Sequence, residues 1–137
     1  MVSGILAREY PDARSAYPAA DLERLDAAYG GVREIFLVAT TPGQIVGTCG
    51  VKDEEARTAL LRRLFVDPAQ RGQGVGSALV VAALDHCRAQ GYAQVRIRTS
   101  DRMTAAIAVC VHQGFHEEQR FQLGSVHLIQ LNRRITP

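Results

Sequence analysis

The residues best placed to do chemistry lie in a glycine-rich stretch, residues 68–78 of this 137-residue chain. Three glycines stand at alternate positions there, namely Gly72, Gly74 and Gly76. An apolar run at 64–66 precedes them and a segment with helical apolar spacing follows, so the order predicts a strand, a tight loop and a helix. Glycines let the backbone approach a ligand closely, and the free N–H groups of a helix start attract phosphate. We therefore expect a phosphorylated cofactor at this loop.

The spacing of residues within the loop indicates which class of phosphate-binding site it belongs to. A nucleotide-hydrolysing P-loop needs a lysine after its last glycine, but Gly76 is followed by Ser77. Ser77 also stands where a dinucleotide-binding fingerprint requires its third glycine. The pattern that fits is Arg-x-x-Gly-x-Gly, which consists of Arg71, Gly74 and Gly76 and follows a Val-Asp-Pro sequence at 66–68. An ordinary glycine-rich turn is the alternative that this pattern alone leaves open.

Composition and charge exclude several other classes of protein. The chain is 47% hydrophobic and 22% charged, as in globular proteins, and its length suits one domain over residues 1–137. No apolar run reaches the roughly 18 residues of a membrane span. The three cysteines lack Cys-x-x-Cys spacing, which favours neither disulfides nor zinc and makes the cytoplasm the expected location. The net charge of +2 is too small to imply nucleic acid by itself, and no basic block supports it. From these observations together we expect no metal, membrane or nucleic-acid partner.

Periodicity and turn signals predict the elements that precede the loop. These are a strand over 5–10, a helix over 21–29, a hairpin of strands over 32–40 and 45–51, a polar loop at 53–55 and a strand over 58–66. The last of these strands leads into the glycine loop.

A helix is predicted directly after the loop, because apolar residues recur on one helical face and Gly91 can end it. The apolar positions are 76, 79, 80, 83, 84 and 87. A strand over 93–99 follows, then a second helix that ends at Gly114, and then a closing hairpin of strands over 115–121 and 126–133. One face of the second helix carries Met103, Ala106, Ile107, Cys110 and Val111. The whole order predicts a mixed α/β sheet covered by helices.

The loop and its neighbours resemble the pyrophosphate loop of the GNAT superfamily of N-acetyltransferases, which bind acetyl-coenzyme A. The order of elements also matches, and residues 106–115, which end in Gly-Phe, resemble the end of the family's fourth helix. The similarity is best over residues 33–116. It implies a mostly antiparallel sheet flanked by helices and splayed between its fourth and fifth strands, with the cofactor's pantetheine arm in the opening. The chain has less room than the family usually has between its first two strands.

The resemblance implies an N-acetyltransferase that moves an acetyl group from acetyl-CoA to an amine of a small molecule or peptide, by direct attack in a ternary complex. A catalytically silent acyl-CoA-binding module is the alternative, and a homodimer is left open. The residues expected to contact the cofactor are Leu64, Phe65, Val66, Arg71, Gly72, Gln73, Gly74, Val75, Gly76, Ser77, Met103 and Cys110.

Acetyl transfer needs a polarised carbonyl and a proton for the leaving thiolate. The family polarises the carbonyl with a backbone N–H at a bulge in its fourth strand, which corresponds to Val66 and its neighbours Leu64 and Phe65. The family's usual tyrosine acid corresponds to Cys110, and its frequent asparagine corresponds to Met103. Two interpretations of Cys110 stay open, a general acid and a buried wall of the cleft that contacts the cofactor.

No residue stands out as the base that deprotonates the amine. The glutamate of many relatives corresponds to Leu60, and Glu54 and Glu55 fall in the predicted polar loop. Asp101 is a candidate base, acting directly or through water, with an N-cap of the following helix as the alternative. The four histidines, including His127, show no metal spacing and resemble surface or partly buried residues.

Four arginines are candidates for binding a carboxylate or phosphate of the acceptor: Arg62, Arg63, Arg96 and Arg98. The first two are consecutive and point to opposite faces of their strand, whereas the last two share a face. The alternative is that they are solvated and paired with neighbouring acidic residues such as Glu34 or Asp53.

Overall fold

The computed structural model describes the backbone of residues 4–7 and all of residues 33–70 and 72–135. Within these ranges the chain forms seven strands, two α-helices and one 3-10 turn, Pro68–Gln70. The elements are β1 (Gly4–Ala7), β2 (Ile35–Thr41), β3 (Gln44–Glu54), β4 (Thr58–Val66), α1 (Val75–Ala89), β5 (Gln94–Ser100), α2 (Thr104–His112), β6 (His116–Leu123) and β7 (Val126–Arg134).

The predicted order of elements is confirmed wherever the structure describes the chain. The predicted helix over 21–29 and residues 8–10 of the predicted first strand lie outside the described residues. The polar loop predicted at 53–55 is wrong, because β3 continues to Glu54 and pairs there with Thr58. Polar composition was misleading because Lys52 and Glu54 belong to an extended strand, whose backbone hydrogen-bonding groups pair with those of β4.

The strands form one sheet in the order β1-β2-β3-β4-β5-β7-β6. All neighbours run antiparallel except β4 and β5, which run parallel and pair only from Thr58 opposite Gln94 to Leu61 opposite Ile97. Beyond Leu61, β4 keeps its partner β3 but loses β5. The expected splay between the fourth and fifth strands is therefore confirmed.

Helix α1 covers one face of the sheet at this opening, and its apolar stripe is buried as predicted. It packs on β2, β3, β4 and α2. The buried residues are Val75, Gly76, Leu79, Val80, Ala83, Leu84 and Cys87. Burying each large aliphatic side chain contributes about 1.5–3 kcal/mol, so α1 is anchored firmly and its N-terminus has a fixed position beside the end of β4.

Helix α2 differs from its predicted stripe. Cys110 is its one fully buried residue, whereas Val111 is 53% exposed and Met103, which precedes the helix as its N-cap, is 49% exposed. Ala106 and Val109 of this short helix line the opening between the strands. An apolar residue on α2 therefore marks either the core or the wall of a cleft.

Candidate active site

A cleft of about 480 Å³ opens where β4 and β5 part. Three segments line it: the end of β4, the glycine loop with the first turn of α1, and the start of α2. The first segment contributes Leu64, Phe65 and Val66, all of which were expected to contact the cofactor. The structure thus brings together the residues before and after the loop that the sequence pattern singled out.

The glycine loop presents bare backbone to this cleft. Gly72 and Gly74 have φ of +81° and +80°, and a Cβ at either would meet no heavy atom within 4 Å. Glycine is therefore required at both positions by the left-handed conformation and not by crowding within the protein. Gly76 is the opposite, because a Cβ there would lie 3.1 Å from Val109 of α2. Its missing side chain lets α1 and α2 approach at the cleft.

The N-terminus of α1 has the features of an anion-binding site. Its N-cap is Gly74, which has no side chain to accept a hydrogen bond from the first turn. The N–H groups of residues 75–77 are thus available to a ligand at the positive end of the helix dipole. Val75, Gly76 and Ser77 all line the cleft, whereas Gln73 is exposed and does not. Arg71 lies outside the described residues.

Gln70 is a cleft residue that sequence reasoning missed. It ends the 3-10 turn, which Asp67 shapes by accepting hydrogen bonds from the N–H groups of Ala69 at 3.0 Å and Gln70 at 2.8 Å. The Gln70 Oε1 atom is buried and accepts no hydrogen bond from the residues that the structure describes. A buried acceptor without a donor is costly, so this atom fits a ligand that donates an N–H or O–H group. Its place directly before Arg71 was the available signal.

A β-bulge interrupts β4 beside the cleft. Phe65 pairs with Thr48 and Arg62 with Gly50, so two residues of β4, Arg63 and Leu64, face one residue of β3. Arg63 has φ of +54°, a left-handed conformation that costs an L-residue roughly 1–2 kcal/mol. Strain of this kind is concentrated at functional sites.

The end of β4 directs N–H groups toward the edge of the sheet that β5 has left. The Asp67 N–H donates to the Val46 carbonyl of β3 at 2.8 Å. Successive N–H groups of an extended strand point to opposite edges, so the Val66 N–H points to the edge from which β5 has separated. The Leu64 N–H, two residues earlier, points the same way. Both amides are suitably directed to donate to an oxygen in the cleft.

Cys110 does not line the cleft. It is 0% exposed in the core between α2 and the sheet, and burial raises its pKa to about 12. Its thiol therefore stays protonated at neutral pH, and it is not among the residues that line the cleft. The cleft wall is formed instead by Met103, as expected from the sequence, together with Ala106 and Val109, which were not singled out as site residues.

Asp101 lies in the loop between β5 and α2 and does not cap the helix. The N-cap is Met103, without a side-chain hydrogen bond, so the N-cap interpretation of Asp101 is wrong. The Asp101 carboxylate instead bonds His127 on β7, with Oδ2 3.1 Å from Nδ1 and Oδ1 accepting the backbone N–H at 3.3 Å. The side-chain hydrogen bond from His127 is the main reason that the Asp101 pKa is lowered. Neither residue lines the cleft.

Two of the four candidate arginines are already paired. Arg98 binds Glu54 with both of its terminal nitrogens, at 2.8 and 3.1 Å, and Arg96 bonds Glu118 at 3.0 Å. These pairs favour the solvated, paired alternative for Arg96 and Arg98. Arg62 is exposed beside the opening and forms no ion pair with the residues that the structure describes.

Among residues 33–70 and 72–135, no group of three or more His, Cys, Asp and Glu side chains is arranged to hold a metal ion. Neither helix of the described part of the chain is long and apolar enough to cross a membrane.

The comparisons with known proteins agree on one family. The Acetyltransferase (GNAT) family profile matches residues 2–115. N-acetyltransferase 8B of Rattus norvegicus is 32% identical over 108 residues, 71% of this chain and 49% of the relative. The chain spans about half the length of the first curated relatives it matches.

Solved structures show the same fold at low sequence identity. A ribosomal-protein-alanine N-acetyltransferase from Brucella melitensis superimposes with a TM-score of 0.81 at 17% identity, covering 96% of this chain and 99% of that one. A Bacillus anthracis str. Ames acetyltransferase in complex with acetyl coenzyme A gives a TM-score of 0.74 at 19% identity, covering 81% and 68%.

Proposed function

Since the chain belongs to the Acetyltransferase (GNAT) family, we propose that it moves the acetyl group of acetyl-CoA to an amine of a small molecule or peptide, by direct attack in a ternary complex. Proteins of this family are acetyl-CoA-dependent acyltransferases. The observation that carries the proposal is the cleft at the splay, where the N-terminus of α1 and the open edge of β4 meet. One end of this cleft suits a pyrophosphate and the other a thioester.

The residues present fit the acetyl-CoA co-substrate. The uncapped first turn of α1 offers N–H groups to the pyrophosphate, and the loop glycines keep side chains away from it. Gln70 offers a buried acceptor to an amide N–H or hydroxyl of the pantetheine arm. The apolar side chains along the cleft, among them Leu64, Met103 and Val109, suit the arm's methylene groups. Arg71 is proposed to add charge at the mouth.

The open edge of β4 supplies the electrostatic part of the reaction. The amine nitrogen attacks the acetyl carbon, and the carbonyl oxygen gains negative charge until the C–S bond breaks. Backbone N–H groups aimed at that oxygen stabilise the charge without any rearrangement. The two β4 amides directed toward the cleft, those of Leu64 and Val66, are the proposed donors. A main-chain donor does not depend on side-chain identity.

Proton transfer is assigned to water and not to a thiol. Cys110 is buried away from the cleft with its pKa raised to about 12, so we place it in the core behind the cleft wall. The leaving thiolate takes a proton from water in the open cleft, and the amine proton passes to water. Asp101 is tied to His127 with a lowered pKa, which makes it a weak base.

A panel of amines tests the proposal directly. Purified protein is mixed with acetyl-CoA and single amines, thiol release is followed with a chromogenic reagent, and the acetylated product is identified by mass spectrometry. Pairs of amines with and without a carboxylate also test whether Arg62 selects acidic acceptors. Acetylation of at least one amine above the hydrolysis background is the expected result. Tight acetyl-CoA binding without any acetylated product across the panel would favour the silent acyl-CoA-binding module instead.

A further inference from the structure

The bulge in β4 is held by a hydroxyl from the neighbouring strand. Thr48 of β3 is 0% exposed, and its Oγ1 donates a hydrogen bond of 2.8 Å to the Arg63 carbonyl. Arg63 is the left-handed residue of the bulge, with φ of +54°. Thr48 thus contacts the backbone at the point where β4 departs from regular pairing.

This hydrogen bond also fixes the direction of an N–H group. The Arg63 carbonyl and the Leu64 N–H belong to one planar trans peptide, so they point in opposite directions. Because the carbonyl points to Thr48 on β3, the N–H points away from β3, toward the edge where β5 is absent. Leu64 lines the cleft at this edge. The Thr48 hydroxyl and the cleft therefore lie at the two ends of one peptide.

We propose that Thr48 is a positioning residue for acetyl transfer, which holds the Leu64 N–H in the direction of the thioester carbonyl oxygen. This inference rests on the proposed function, in which the β4 amides donate to that oxygen. A left-handed residue sits at a point where the following peptide can rotate, and rotation would turn the Arg63 carbonyl toward the cleft. A carbonyl there would repel the developing oxyanion. The Thr48 hydroxyl holds the peptide in the catalytic orientation.

The kinetic test compares three variants. Thr48→Val keeps the shape and removes the hydroxyl, Thr48→Ser keeps the hydroxyl, and Thr58→Val removes an equally buried hydroxyl at the start of β4, 0% exposed and away from the cleft. Loss of an oxyanion donor costs about 100- to 1000-fold in kcat, and misorientation should cost about 10- to 100-fold. We expect the loss from misorientation, about 10- to 100-fold in kcat, in Thr48→Val, with an unchanged dissociation constant for acetyl-CoA. Thr48→Ser and Thr58→Val are expected to keep a kcat near that of the wild type. Wild-type kcat in Thr48→Val would overturn the inference.

A spectroscopic test stands independently of turnover. Infrared difference spectra with acetyl-CoA labelled with carbon-13 at the acetyl carbonyl report the hydrogen bond to that oxygen. The bound carbonyl stretch is expected at lower frequency than in solution for wild type and Thr48→Ser, and close to the solution value for Thr48→Val. This readout decides the role of Thr48 even if no amine is acetylated, an outcome that would defeat the proposed function alone.

A measurement on the unaltered protein covers a Thr48→Val variant that does not fold. In protein labelled with nitrogen-15 leucine, the Leu64 amide proton is expected to move downfield with acetyl-CoA but not with CoA, which has no carbonyl at that position. Equal Leu64 shifts with both ligands would overturn the assignment of this donor.

Discussion

Replacing Gly74 by alanine separates the strain of the glycine loop from its role in binding. Gly74 has φ of +80° and no heavy atom within 4 Å of a Cβ, so the cost of alanine is conformational, roughly 1–2 kcal/mol of folding free energy. Gly43, in the turn between β2 and β3, has φ of +79° and equally empty surroundings. Gly43→Ala is therefore a matched control. Urea denaturation is expected to show the same loss of stability in both variants.

The two variants are expected to differ in their affinity for acetyl-CoA. Gly74 lines the cleft and caps α1, whereas Gly43 does not line it. A methyl group at Gly74 disturbs the N–H groups offered to the pyrophosphate, and losing one hydrogen bond to a charged group costs about 1.5–3 kcal/mol. Because 1.4 kcal/mol corresponds to tenfold, the dissociation constant should rise by about 10- to 150-fold in Gly74→Ala and stay unchanged in Gly43→Ala.

Isothermal titration calorimetry at constant ionic strength measures both constants. A wild-type dissociation constant in a folded Gly74→Ala protein would refute the assignment of the pyrophosphate to this loop. Equal weakening in both variants would show that affinity follows overall stability, and would refute it as well.

Three further predictions concern residues around the cleft. Cys110→Ala should lower the free energy of unfolding by about 1–2 kcal/mol through lost packing and leave kcat nearly unchanged; a fall in kcat of about 100-fold or more in the folded variant would restore the general-acid role. Arg71→Ala should weaken acetyl-CoA binding, with the difference from wild type shrinking as salt is raised; a salt-independent difference would indicate packing instead of charge. The depressed pKa of Asp101 means that its bond to His127 stabilises the fold above the unfolded-state pKa of about 3.9 and stops doing so as pH falls through the lower folded-state value. Urea midpoints of wild type and Asp101→Asn should therefore differ at pH 7 and converge in acid; a constant difference would contradict this.

Local sequence was sufficient for most of the described elements and for the glycine loop. The stripe of α1 and the alternation in β5 are periodic signals that any window of the chain contains. Gly72 and Gly74 are required by backbone conformation, which is a property of the residue itself. The splay between β4 and β5 was predicted from the family resemblance. Periodicity could not predict it, because the sequences of both strands are typical of ordinary strands.

Tertiary structure alone decided which groups meet at the cleft. The bulge at Arg63 exists because β3 and β4 pair in a particular register, and neither strand's sequence states that register. Thr48 reaches the Arg63 carbonyl across 15 positions, and Asp101 reaches His127 across 26. A polar side chain's partner depends on the fold and not on its neighbours in sequence, so Asp101 was assigned a cap that it does not form. Cys110, apolar by periodicity, could be core or cleft wall until packing placed it in the core.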